Sequence, residues 1–315
     1  MTIATDREGS TTPGPQPEIE PEPKSNFERV LLVVFVVLPF LALLAAIPMA
    51  WGSFLGWSDV IIGGIFYIFT GLGVTVGFHR YFTHGSFKAN RPLKIVMAVA
   101  GSMSLEMGVI DWVATHRRHH KYSDKEGDPH SPWRFGNDWK ALTKGLFFAH
   151  VGWLFSSERT NRTRYARDLL NDPDIVKIHH SFKWLVFASL AAPAVLGGLF
   201  TWSIEGALTA FFWGSLVRIA MLHHVTWSIN SICHVFGDEA FEVRDKSRNV
   251  WWLAIPSFGE SWHNLHHSDP TCARHGALKG QIDPSARVIR WFEQAGWATD
   301  VRWPTPERLA AKRVG

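Results

Sequence analysis

His116-Arg117-Arg118-His119-His120 places three imidazoles within five residues, and Lys121-Tyr122-Ser123-Asp124 follows directly. On a helix, positions i, i+3 and i+4 share one face, with Cβ atoms about 5–6 Å apart. The spacing therefore predicts a helix that turns three ring nitrogens toward metal. Alone, such a box reads more readily as a basic surface turn that happens to contain histidine. Two more boxes change that reading. His79-Arg80-Tyr81-Phe82-Thr83-His84 lies upstream, and His263-Asn264-Leu265-His266-His267, far downstream, repeats the spacing of the central box. Together they hold eight of the sixteen histidines, more than one ion needs. Neutral imidazole serves Zn, Cu, Fe and Ni alike, so ligand type does not name the metal.

Outward from the boxes the chain is strongly apolar. Val30 to Trp57 carries no charge, and after Asp59 a second uncharged run reaches Phe78. Trp184 to Ile204 and Ala207 to Ile229 form a later pair around Glu205-Gly206. A bilayer span takes about 20 residues. Four spanning helices are predicted, at about 30–52, 60–78, 184–204 and 207–229. A length of 315 residues would also suit two soluble domains, but these runs argue for one membrane domain over 27–300. The short turns within each pair lack Lys and Arg, whereas Lys24, Arg29, the 79–183 segment and Lys312-Arg313 supply them. The positive-inside rule then places both termini and all three boxes in the cytoplasm, with a helical cap over 79–183 and 230–300. Residues 1–26, rich in Pro and Glu, are expected to be disordered and lack the pattern of a secretory signal; 301–315 is read as a basic tail. Leu93 to Ile110, interrupted by Lys94 and Glu106, is expected to be re-entrant or interfacial.

A net charge of +4 and a pI near 9.1 suit an anionic leaflet, and the histidine and membrane pattern argues against nucleic acid as the partner. Cys233 and Cys272 make no disulfide framework and no Cys-x-x-Cys pair. The fourth apolar run carries Arg218, His223, His224, Asn230 and His234. Ionisable groups near a membrane face a partner or a cavity. His234 is read as a ninth metal ligand and Asn230, four residues earlier, as a ligand through water or a group orienting others. His223 and His224 are read as interfacial or packing residues, and Arg218 as snorkelling or pairing with a phosphate.

These boxes, with Asn230-x3-His234, Asp128-Pro129-His130, His150-Val151-Gly152-Trp153 and Gly259-Glu260-Ser261-Trp262-His263-Asn264, resemble the membrane fatty-acyl desaturases of the stearoyl-CoA desaturase type, over about Val60 to Trp297. The resemblance implies an all-α fold, a four-helix membrane stem with a cytoplasmic cap. It implies two Fe ions held by His79, His84, His116, His119, His120, His234, His263, His266 and His267, with Asn230 acting through water. O2 would be the co-substrate, and a cis double bond, by family habit at Δ9, the product. Trp112, Thr226 and Trp227 would line the bend of an acyl tunnel. Asp128, His150, Glu260 and Asn264 would support the ligands. Glu106 stands where animal enzymes have glutamine, its role open between a hydrogen bond in the cap and a helix stop.

Where the animal acyl-CoA enzymes have Arg-Asp before the central box, this chain has Ala114-Thr115. Ser157 and Glu158 replace a basic pair, although Arg159, Arg162, Arg164 and Arg167 follow. These arginines, Arg159 and Arg162 among them, could supply phosphate contacts or form a solvated or lipid-facing basic patch. Overall likeness favours a long-chain acyl-CoA substrate; an acyl chain on a membrane lipid, or a related di-iron hydroxylase, stays open. No haem-attachment Cys-x-x-Cys-His or dinucleotide fingerprint is present, so electrons are expected from a separate NAD(P)H-dependent reductase with a ferredoxin- or cytochrome b5-like carrier. The setting expected is a bacterial plasma membrane.

Overall fold

A computed structural model of the chain describes residues 17–314. The fold is helical apart from two small antiparallel two-stranded ribbons. Helices Asn26–Trp51, Trp57–Thr83, Phe182–Thr201 and Ile204–His234 are long and apolar enough to cross a membrane. The first begins before its apolar run because Ser25 and Glu28 cap it reciprocally. Glu28 accepts from the Ser25 backbone N–H at 2.7 Å, and the Ser25 hydroxyl accepts from the Glu28 N–H. The second and fourth outlast their apolar runs at the other end. Hydropathy marks where lipid contact stops, whereas these helices continue into protein, carrying His79 and His234 on their final turns.

The first and third helices expose Val30, Val34, Leu41, Phe187, Val195 and Leu199, whereas the ends of the second and fourth are buried inside the cap. From Gly73 to Thr83 the second helix widens into π geometry, so the His84 N–H donates to His79 O at 3.2 Å. A five-residue spacing thereby becomes one turn, and the two rings meet edge to face with centroids 5.0 Å apart. Close packing makes this possible. A Cβ on Gly73 would lie 2.2 Å from the Gly101 nitrogen, and one on Gly77 would lie 2.9 Å from Met97 Cβ. Helix Arg91–Ser102 occupies that groove, burying Leu93, Met97 and Ala98. This part of the stretch expected to be re-entrant or interfacial is therefore wedged into the core between the stem and the cap.

Arg218 does not snorkel. It is buried in the bundle, donating to Gly214 O and to the carbonyl and hydroxyl oxygens of Ser189 at 2.9–3.1 Å. Acceptors within the bundle replace the headgroup it would otherwise reach. Residues 1–16 of the arm lie outside the described residues. The rest of the arm is ordered, with strand Ile19–Pro21 pairing antiparallel with Glu158–Thr160. At the other end the basic tail folds back, with Glu242 N–H donating to Lys312 O at 2.8 Å.

Candidate metal centre

Nine histidines converge in two groups, His79, His84, His116, His120 and His266 in one and His119, His234, His263 and His267 in the other. Each α-helical box divides the same way. On Val109–Tyr122 the i and i+4 rings face one group and the i+3 ring the other; on His263–Ser268 the assignment is reversed. The expectation that one box turns all three rings to one place is thus corrected, because helices approaching from two sides share the rings between two centres.

Nitrogen spacing argues for cations. The Nε2 atoms of His79 and His266 are 3.0 Å apart, those of His116 and His120 3.0 Å, and those of His120 and His266 2.9 Å. In the second group His263 Nε2 is 3.1 Å from that of His234 and 3.0 Å from that of His267. Two nitrogens each about 2.1 Å from one ion, at right angles, lie about 3.0 Å apart. One shared proton can satisfy one such pair, but not four or five converging rings. The Nε2 atoms of His84 and His119 are buried with no hydrogen-bond partner. Burial, then the neighbouring imidazoles, holds His116, His120, His263, His266 and His267 well below the usual histidine range. The rings are therefore neutral at physiological pH, as metal ligation requires.

Carboxylates orient four of the rings from behind. Nδ1 of His119 meets Asp128 at 3.0 Å, that of His234 meets Asp124 at 2.9 Å and that of His267 meets Asp245 at 2.7 Å; His79 Nδ1 meets Glu260. Such contacts fix Nε2 toward a metal and raise its basicity. Burial pushes the Asp128 carboxyl up, but His119 and His130 overcome it and hold the group ionised. Glu260 also accepts from Nε and Nη2 of the fully buried Arg80, whose Nη1 donates to Asp283 at 3.2 Å and to Ala273 O at 2.9 Å. Asp128 and Glu260 were expected in such roles. Asp124, Asp245 and the Arg80 network were missed, the first although it sits four residues beyond the central box.

Other candidates sit further away. The Asn264 amide bonds backbone rather than a histidine ring, clasping Ala240, Phe241 and Ser247 and fixing the loop that carries Asp245. His150 bonds Ser231 Oγ and His224 Nδ1, each at 3.0 Å, on the flank of the fourth spanning helix. Arg159 and Arg162 are occupied. Arg159 pairs with Glu20 at 2.9 Å and Glu22 at 2.8 Å, and Arg162 with Asp111.

A narrow tunnel of about 70 Å³ runs beside both groups, with His79, His116 and His263 in one wall and Val74, Leu222 and Phe258 among its apolar residues. Trp112, Thr226, Trp227 and Asn230 all line it. Trp112 stacks on His116 with ring centroids 4.9 Å apart, so the same residue shapes the tunnel and steadies a ring. Glu106 also faces the tunnel, accepting from Trp112 Nε1 at 3.0 Å, which decides its role in favour of a hydrogen bond. At Glu106, Met107, Thr115, Trp153 and Trp227 the tunnel meets a groove of about 630 Å³. Leu31, Leu32 and Phe35 of the first spanning helix, with Phe182 and Val186 of the third, wall that groove on the lipid side.

Comparison with known proteins agrees with this architecture. Residues 55–279 match the family model described as fatty acid desaturase. The chain is 39% identical to Delta-9 acyl-lipid desaturase 1 of Arabidopsis thaliana, over 79% of this chain and 77% of that one. It is 32% identical to the sn-1 stearoyl-lipid 9-desaturase of Synechocystis sp., over 92% and 85%. It is 38% identical to the hex-5-enoyl-[acyl-carrier protein] acetylenase of Moorena producens, over 90% and 88%. Four membrane-spanning helices, paired histidine centres and an adjoining apolar tunnel thus belong to a chain whose match runs through all three boxes: it is an integral membrane protein of the fatty acid desaturase family.

Proposed function

We propose that the protein places a cis double bond at Δ9 in a saturated acyl chain carried by a membrane glycerolipid, using two irons held by the five- and four-histidine groups. The observation that carries this reading is the pairing of those groups with an apolar tunnel whose wall includes rings from both. All-nitrogen sites with room for a further ligand suit redox iron, whereas hydrolytic zinc sites use about three ligands and water. Bound there, iron would supply the oxidising chemistry: O2, two electrons and two protons take up two hydrogens from a methylene pair, leaving the double bond and two waters.

The chain's own residues position the substrate. Trp112, Thr226 and Trp227 confine the acyl chain against His79, His116 and His263, and the tunnel's narrowness keeps the reacting carbons aligned and bulk water out. Two features favour a lipid over the acyl-CoA carrier expected from general likeness. The groove is walled on one side by lipid-facing helices, so a glycerolipid chain can enter from the bilayer. Arg159 and Arg162, the candidate phosphate contacts, already hold carboxylates. Two of the relatives above are named for lipid-linked chains. Both termini and the histidine groups face the cytoplasm of a bacterial plasma membrane in this reading, where a ferredoxin- or cytochrome b5-like carrier delivers electrons from a separate reductase.

The test is expression in a desaturase-deficient bacterium with a matched reductase, followed by labelled stearoyl-phospholipid and stearoyl-CoA given to the purified, iron-loaded enzyme in proteoliposomes. A cis-Δ9 monoene formed mainly on the phospholipid is expected. Hydroxylated product, or faster turnover of stearoyl-CoA, overturns the reading.

A further inference from the structure

Cationic side chains gather where the cap meets the groove, whose own lining includes Arg118, paired with Glu158, and Lys24, bonded to Ser156 O. Arg159, on strand Glu158–Thr160, lines it, and Arg162, Arg164 and Lys121 lie close behind. Left bare, such a cluster would attract a polyphosphate, since guanidinium groups bind phosphate oxygens with short, charge-assisted hydrogen bonds. Here carboxylates are already in place, and most come from one short piece of chain. Strand Ile19–Pro21 lies antiparallel on Glu158–Thr160 with Glu20 opposite Arg159. Glu20 and Glu22 both pair with Arg159, while Glu18 pairs with Lys121 at 2.9 Å and also with Arg164 and the Tyr165 hydroxyl. Backbone bonds continue the pairing on both sides, from Glu22 N–H to Ser157 O at 2.7 Å and from Asn161 N–H to Glu18 O at 3.2 Å.

We propose that this acidic strand is a specificity element: Glu18, Glu20 and Glu22 occupy the cationic positions a nucleotide-bearing acyl carrier would need, and so keep the groove for an acyl chain presented by the bilayer. The inference rests on the acyl-lipid reading and adds the residues that enforce it. Glu18, Glu20 and Glu22 alternate along the segment and so share one side of it, where Glu20 and Glu22 both hold Arg159 and Glu18 holds Lys121 and Arg164; the seal does not depend on any one pair. A phosphoanhydride carrier entering there would have to displace carboxylates and would meet their repulsion, whereas a lipid whose headgroup stays at the membrane surface meets neither.

The test compares the ratio of stearoyl-CoA to stearoyl-phospholipid turnover in iron-loaded wild type and in E18Q/E20Q/E22Q, with free CoA added as a competitor in a parallel series. Glutamine keeps the shape of the strand and removes its charge. The expected result is a rise of about ten-fold or more in the ratio, together with inhibition by CoA that wild type lacks. Iron content reports whether the triple variant is folded. Should it fail that check, E20Q/E22Q, which retains the Glu18 contacts, replaces it, with the same direction expected. An unchanged ratio and no CoA inhibition in an iron-loaded variant overturn the inference while leaving a lipid-preferring wild type intact. A wild type that prefers stearoyl-CoA shows instead that the underlying acyl-lipid reading has failed.

Discussion

Glu106 is a carboxyl inside the acyl tunnel, and replacing it with glutamine has a calculable effect. Burial, which outweighs the contacts with Thr226 and Trp112, pushes it up from 4.5 to about 7. Because the folded state holds the proton more tightly than the unfolded chain, Glu106 costs nothing below pH 4.5. As pH rises to about 7, stability falls by about 1.4 kcal/mol per pH unit, and the loss then levels off. The whole interval amounts to about 3 kcal/mol, an upper bound reached when the tunnel holds an acyl chain in place of water. Glu106→Gln removes the charge but keeps an oxygen to accept from Trp112 Nε1. Iron-loaded wild type and variant should therefore unfold at similar temperatures near pH 5, with the variant increasingly the more stable up to about pH 7 and by a steady margin from there to pH 8. Scans at one fixed rate in detergent suffice, since other titrating groups are common to both proteins and cancel in the difference. A stability difference that stays constant from pH 5 to pH 8 would refute the assignment of a buried, neutral carboxyl.

Further outcomes follow from the geometry of the centre. His266→Ala removes one ring of the five-histidine group and should weaken iron retention there and stop desaturation; near-full turnover by the iron-loaded variant would sink the ligand assignment. Asp245→Asn removes the carboxylate behind His267 and should weaken iron retention by about 10–100-fold in chelator competition. Gly73→Val drives a side chain into the Gly101 backbone, with a Cβ only 2.2 Å from its nitrogen. Overpacking of that kind costs about 1–3 kcal/mol or more, and the yield of monodisperse protein in detergent should drop sharply.

Much of this molecule is legible in its residues. Long uncharged runs mark four spans because hydrocarbon tolerates little else, and the histidine boxes announce metal because so many imidazoles at helical spacing serve no ordinary packing purpose. Trp112, Thr226 and Trp227 line one cavity, and Asp128 and Glu260 contact His119 and His79 of the two histidine groups. Span ends were less legible. The second and fourth helices continue past their apolar runs because protein, not lipid, surrounds their last turns.

What only the tertiary structure decided is how groups distant in the chain divide the work. Spacing within a helix sets which rings are neighbours, but it does not say that His119 leaves its box to join His234, His263 and His267. That depends on where two other helices arrive. Asp245 looks like any loop acid until the Asn264 amide pins its loop beside His267. The arginines after Ser157 read as free cations, yet the strand at 19–21, drawn from an arm whose composition argues for disorder, neutralises Arg159. A sequence records which charges exist; whether they are available to a substrate depends on which opposite charges the fold has already brought to them.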